Sequence, residues 1–299
     1  MSLSGPASPK ASLLDPSFAR ELEALRRKLR VRARSGAGGD HLGRRRGGSA
    51  EFLEHRPYAP GDDLRRIDWL AFARTGEPVF KLFRAEEDIV VRLVMDASLS
   101  LDYGTPTKLL AAKRLAASIG YMALAQSERT QVVTASAGDF RMTEPTRGRA
   151  SLPALLRQLD GVTPRGGTDL MRAIDTVVQR SGRPGMLVVL SDFLDAGPFD
   201  LAISRAAAAG HDIALVQVLA HEELEPDFDG DLAFEDAETL AHVEVTVDAR
   251  AIDAYLARLA SLFGMVRAIA KRCRGVYVRT SNLEPTIQAV RRFVARGVD

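Results

Sequence analysis

The chain has one cysteine, Cys273, and one tryptophan, Trp69, in 299 residues. A lone thiol excludes an internal disulfide framework and any zinc cage built from several cysteines. It fits a reducing compartment, most simply the cytosol. Charge of one sign is lacking too: 41 basic against 39 acidic residues leave a formal +2, so net charge does not point to nucleic acid. No uninterrupted apolar stretch reaches the ~18–20 residues of a membrane-spanning helix. The longest candidate, Leu109 to Ala125, is broken by Lys113, Arg114 and Ser118. The segment Met1 to Pro9 is small and polar, without a signal peptide's apolar core. A soluble, unexported, cytoplasmic protein is the expectation. Also missing are a Gly-x-Ser-x-Gly nucleophile elbow and a Gly-x-x-x-x-Gly-Lys phosphate loop. The five histidines, His41, His55, His211, His221 and His242, show no metal-binding spacing.

What is present is ordinary globular composition, 46% hydrophobic and 27% charged. Residues 1–16, rich in Ser, Pro and Ala, read as a flexible leader. Residues 17–87 read as a basic helix followed by an accessory segment, and 88–299 as the main domain. The helix is expected over Ser17 to Arg34, with Leu22, Leu25 and Leu29 on one face. Its rear half is strongly basic, and a Gly-rich loop from Ser35 to Gly48 carries Arg44-Arg45-Arg46. This stretch reads as a solvated face, a surface for an acidic partner, or a nucleic-acid contact. No aromatics interleave with the basic residues, which weighs against stacking on single strands.

From Asp88 onward strand and helix patterns alternate. The apolar runs Ile89 to Met95, Gly185 to Leu190 and Asp212 to Leu219 read as buried parallel strands. Thr130 to Ala135, Asp139 to Met142 and Val276 to Arg279 read as further strands. Helices are expected from Thr105-Pro106 to about Gln126, with Thr105 as cap, and over Leu152–Leu159, Leu170–Arg180, Phe199–Ala209, Asp253–Arg272 and Glu284–Ala295. A hairpin-like excursion occupies His221 to Val247, acidic from Glu222 onward. Strands separated by single helices imply parallel pairing with right-handed crossovers. The expected architecture is α/β: three layers around a doubly wound, mainly parallel sheet, with an N-terminal accessory segment.

Three clusters of side-chain oxygen fall at strand ends or helix starts in that scheme. Asp96, Ser98 and Ser100 leave the first long strand, Thr168 follows Gly166-Gly167, and Asp192 follows Leu187 to Leu190. Open α/β sheets place ligand sites at the carboxyl ends of their strands. Such oxygens suit a hard cation, Mg²⁺ or Mn²⁺. Ser98, Ser100 and Thr168 are the expected direct ligands, with Asp96 and Asp192 acting directly or through water. Neutral hydroxyls neutralise the ion poorly, leaving it a position for an incoming carboxylate. Thr168 could equally cap its helix, and Asp169 reads as a first-turn acid favoured by the helix dipole.

Asp-x-Ser-x-Ser with a later Thr and Asp resembles the metal-ion-dependent adhesion site, or MIDAS, of von Willebrand factor A domains, over roughly Ile89 to Thr280. A second, more specific resemblance is carried by Arg56-Pro57-Tyr58-Ala59-Pro60-Gly61-Asp62-Asp63-Leu64-Arg65-Arg66-Ile67-Asp68-Trp69, followed by Ala73-Arg74. This is similar to the signature of a bacterial family known as domain of unknown function fifty-eight. The resemblance implies a von Willebrand factor A-like domain over 88–299. It also implies a MoxR-type AAA ATPase as partner, in chaperone-like assembly or activation of a client protein. Many members follow the second serine with Met, where this chain has Leu101, and many carry amino-terminal membrane helices. Within the signature, Asp62 and Asp68 could pair with Arg65, Arg66 or Arg74, and Trp69 could be an anchor or a partner contact.

Three functions are therefore in view. The leading expectation is a non-enzymatic, metal-dependent protein–protein interaction module whose client supplies an acidic residue. A Mg²⁺-dependent phosphohydrolase or nuclease is the alternative. No nucleophile with an adjacent base is visible, and Ser98 occupies the second acidic position of an Asp-x-Asp pattern. Nucleic-acid binding through the basic stretch is third, and would weaken steeply with salt.

Overall fold

The computed structural model describes residues 13–14, 16–26, 51–59, 64–84, 89–136, 138–194, 198–228, 230–235 and 242–296. The basic segment 27–48, the Pro60-Gly61-Asp62 turn, Ala137, His41 and most of the leader lie outside them. The chain divides into two units, Met1–Gly36 with Ile89–Asp299, and Ala37–Asp88.

The larger unit is built on the apolar runs. Strands β3 (Val90–Asp96), β4 (Arg129–Ser136), β7 (Met186–Ser191), β8 (Asp212–Leu219) and β11 (Val276–Ser281) pair in parallel, in the order β11-β8-β7-β3-β4. Two short strands, β5 (Asp139–Met142) and β6 (Thr146–Arg147), pair antiparallel with β4 and complete a seven-stranded sheet. The centre reverses direction of winding beside β3. That puts the carboxyl ends of β3 and β7 side by side, at the kind of crevice where such sheets take ligands.

Alternate strand residues enter opposite cores, as the period of two demands. Val91, Leu93 and Met95 pack under helices α3 (Lys108–Ala125), α4 (Leu152–Asp160) and α9 (Thr286–Arg296). Val94 packs on the other face with α5 (Leu170–Arg180), α6 (Phe199–Ala208) and part of α8 (Ala249–Arg272). The result is a mixed α/β, three-layer arrangement with a mainly parallel sheet. Each fully buried Leu or Val stabilises it by about 1.5–3 kcal/mol relative to exposure.

Several sequence expectations shift. Helix α1 (Pro16–Arg26) packs on α3 and α9, because Leu22 and Phe18 enter the same core as Leu109 and Phe293. It therefore groups with the sheet, apart from the later part of the expected 17–87 segment. Leu13, expected in a flexible leader, is also buried in that core. The cap of α3 is Thr107, whose hydroxyl accepts from the Leu110 N–H, instead of Thr105. The excursion after β8 contains a short helix, α7 (His221–Leu224), and the antiparallel pair β9 (Gly230–Glu235) and β10 (His242–Val247). Helix α8 starts earlier than Asp253, at Ala249, because Asp248 caps it through the Ala251 N–H.

In the smaller unit, β1 (Glu51–Pro57) pairs antiparallel with β2 (Val79–Arg84). Helix α2 (Trp69–Thr75) lies between them in sequence and is capped by Asp68, which accepts from the Leu70 and Ala71 N–H groups. Asp68 also meets His55 at 3.0 Å, a partner absent from the arginines considered for it. Trp69 is 59% exposed and meets Phe72 edge-on.

Candidate functional site

Strand β3 ends on Asp96, and the chain turns into a short 3-10 segment, Leu99–Asp102. Asp96 is buried and both its oxygens are engaged. Oδ1 accepts the Ser98 N–H at 3.0 Å, and Oδ2 accepts the Ser191 hydroxyl at 2.6 Å. Ser191 in turn accepts the Phe193 N–H at 3.0 Å. Burial pushes the Asp96 carboxyl above its ordinary range, and the neighbouring Asp192 charge adds to this, against the hydrogen bonds from Ser191 and Ser98. A nearby cation would favour its charged form.

Ser98 precedes the 3-10 segment but makes no side-chain cap; its hydroxyl lies 2.9 Å from that of Ser100. The loop before α5 is stitched to this turn by two backbone bonds. The Leu99 N–H donates to the Gly166 carbonyl and the Arg165 N–H to the Ala97 carbonyl, each at 2.8 Å. Gly166 takes a left-handed φ of 53°, a conformation that disfavours side chains. Those bonds bring the Thr168 loop onto the Ser98 turn.

The cap of α5 is Asp169, which accepts the Arg172 N–H at 3.2 Å. That corrects the first-turn reading of Asp169, and it relieves Thr168 of any capping duty. The Thr168 hydroxyl oxygen is buried with no hydrogen-bond partner. An orphaned buried hydroxyl costs about 1–3 kcal/mol, and a cation ligated there would remove that cost.

Asp192 follows β7 and is 3% exposed. Its Oδ1 accepts the Leu194 N–H at 3.1 Å, and its backbone carbonyl accepts from Gln217 at 2.7 Å, which accepts the Tyr277 hydroxyl at 2.7 Å. Oδ2 is 2.7 Å from the Lys108 ammonium. Lys108 also reaches Glu223 Oε1 at 2.7 Å, and the other Glu223 oxygen accepts the Ala220 N–H at 2.8 Å. Burial alone would push the Lys108 ammonium down, but the charges of Asp192 and Glu223 outweigh it and hold it above its ordinary value.

Asp96, Ser98, Ser100, Thr168 and Asp192 thus sit at the carboxyl edge of β3 and β7 and the adjoining α5 loop. Among the described residues, no group of three or more His, Cys, Asp or Glu side chains comes together as a metal cage. A metal at this edge would therefore rest on hydroxyls, with Ser98 Oγ, Ser100 Oγ and Thr168 Oγ1 as neutral donors. That donor set fits Mg²⁺ or Mn²⁺, and the orphaned Thr168 oxygen agrees with it. Sequence reading gave no role to Ser191, Lys108 or Glu223. Ser191 is adjacent to a named ligand, while a lysine opening an apolar helix was the only sign of Lys108.

Residues 54–261 match the family described as "Protein of unknown function DUF58". An uncharacterized protein of Mycobacterium bovis is 32% identical over 249 residues, spanning 81% of this chain and 78% of its own. An uncharacterized protein of Mycobacterium tuberculosis matches to the same extent. The crystal structure of conserved hypothetical protein BatB from Bacteroides thetaiotaomicron aligns with 70% of this chain and 98% of that one, at 18% identity and a TM-score of 0.46. Among the described residues no helix is long and apolar enough to cross a membrane.

Proposed function

The chain belongs to the DUF58 family, and on that premise we propose that it is a non-enzymatic, metal-dependent protein–protein interaction module. The observation that carries the reading is the buried, partnerless Thr168 hydroxyl beside the Ser98 turn. When bound, a Mg²⁺ or Mn²⁺ ion would supply a Lewis-acidic position for an incoming carboxylate. Ser98, Ser100 and Thr168 would hold it, with Asp96 and Asp192 acting directly or through water.

The chain's own residues do the positioning. Ser191 fixes the Asp96 carboxylate, the Leu99 and Arg165 backbone bonds fix the two loops, and Lys108 and the Leu194 N–H fix Asp192. A hydroxyl-rich edge on this α/β sheet supports a von Willebrand factor A-like domain as the finer description. The family resemblance supports a MoxR-type AAA ATPase as partner, the neutral hydroxyl donors support a client that supplies the acidic side chain, and the lone Cys273 supports work in the cytoplasm.

Calorimetric titration of Mg²⁺ and Mn²⁺ tests the reading. Saturable binding in the wild type, lost in the Asp96→Ala, Ser98→Ala double variant, is the expected result. Capture of the ATPase should then require the ion. Wild-type protein that binds neither ion, alone or with the ATPase present, would sink the proposal.

A further inference from the structure

Lys108 opens α3 at a position where a lysine normally faces solvent, yet it is 1% exposed. Its ammonium donates to Asp192 and Glu223, each at 2.7 Å. The second oxygen of each carboxylate is held by a backbone N–H, of Leu194 and Ala220 respectively. The cation is therefore clamped between a carboxylate of the candidate metal edge and one from α7. Helix α7 is itself tied to α8 by the Tyr255 hydroxyl on the Glu223 carbonyl, at 3.0 Å.

A divalent ion on the Ser98, Ser100 and Thr168 oxygens would draw on the charge of Asp96 and Asp192. Asp192 already neutralises an ammonium. Two cations sharing one carboxylate repel each other, and in a buried setting water screens that repulsion poorly. We infer that Lys108 is a built-in competitor for Asp192, which lowers the site's intrinsic affinity for a divalent cation, so that a carboxylate brought by the partner raises its filling. This inference rests on the metal-site reading above and states how that site is regulated. Glu223 sets the balance, because the charge it shares with Lys108 loosens the ammonium's hold on Asp192.

The two ends of the clamp then have opposite effects. Removing the ammonium frees Asp192 for the ion, whereas neutralising Glu223 throws the full ammonium onto Asp192. A strut with only a structural role would weaken metal binding when either end is lost, because Asp192 would drift in both cases.

The test is calorimetry of Mg²⁺ and Mn²⁺ on the full chain at fixed ionic strength, for wild type, Lys108→Met, Glu223→Gln and Asp96→Ala. Lys108→Met should bind about tenfold tighter than wild type and Glu223→Gln about threefold weaker. Saturable binding by Lys108→Met alone, abolished when Asp96→Ala is added, is the extreme form of the same result. Wild type that binds while Lys108→Met binds no tighter overturns the competitor role and leaves the metal site standing. No binding by either, alone or with the ATPase present, removes the metal site and the competitor role together. Should circular dichroism show that Lys108→Met does not fold, Lys108→Gln takes its place, and binding no tighter than the wild type's in it overturns the inference.

Discussion

The Ser191 hydroxyl donates to Asp96 Oδ2 across 2.6 Å, joining the ends of β7 and β3 from positions 95 residues apart in sequence. This bond lies within the sheet's carboxyl edge and has no solvent to replace it, since both residues are buried.

Ser191→Ala should therefore cost about 1–3 kcal/mol, since it strips a donor from a buried carboxylate and an acceptor from the Phe193 N–H. Denaturant unfolding followed by circular dichroism reads this directly. A loss below about 0.5 kcal/mol, the range of ordinary surface changes, would mean the bond does not hold the edge.

Thr168→Val separates stability from binding. The variant keeps the shape and removes a buried hydroxyl that has no hydrogen-bond partner. Its unfolding midpoint should match or exceed the wild type's in metal-free buffer. Its Mg²⁺ titration should lose the binding seen in wild type. A destabilised variant would show that the hydroxyl has a structural partner in solution.

His211 gives a pH signature far from this edge. It is buried, its Nδ1 accepts the Gly185 N–H, and Arg92 lies near. Burial, aided by the Arg92 charge, pushes its imidazole down to about 4 from an ordinary 6.5. Between those values the unfolded chain binds the proton and the folded chain does not. Stability from this group is therefore full above about pH 6.5 and falls as pH drops toward 4. Urea midpoints at several pH values across that window, compared with those of His211→Gln, measure it. An identical pH dependence in the two proteins would contradict the assignment.

Trp69, the sole tryptophan, reports on its own exposure. At 59% exposed, its emission should be that of a hydrated indole and quench readily with acrylamide. Trp69→Ala should change stability by less than about 0.5 kcal/mol. Blue-shifted, protected emission would show that the indole is covered in solution.

The strands were the most legible part of the fold. Ile89 to Met95, Gly185 to Leu190 and Asp212 to Leu219 are apolar on both faces but for Arg92, Asp212 and Gln217, and a short run of this kind suits a strand covered by helices on both sides. The span of helix α5, Leu170 to Arg180, was legible, although its cap is Asp169 and not Thr168. Boundaries at α3 and α8 were less so. Thr105 and Thr107 are equally good caps on paper, and the choice between them depends on where the chain leaves the β3 turn.

Sequence alone determined which residues could carry oxygen to the carboxyl edge of the sheet. Asp96, Ser98, Ser100, Thr168 and Asp192 follow their strands or precede their helix by a fixed few residues, and local periodicity sets that. Which of these oxygens are free was decided only by the tertiary structure. Asp169 took the cap and left Thr168 unpartnered, Ser191 took one side of Asp96, and Lys108 took one side of Asp192. The last two pairings join residues 95 and 84 positions apart, so they follow from how the strands and helices stack and have no local pattern to announce them.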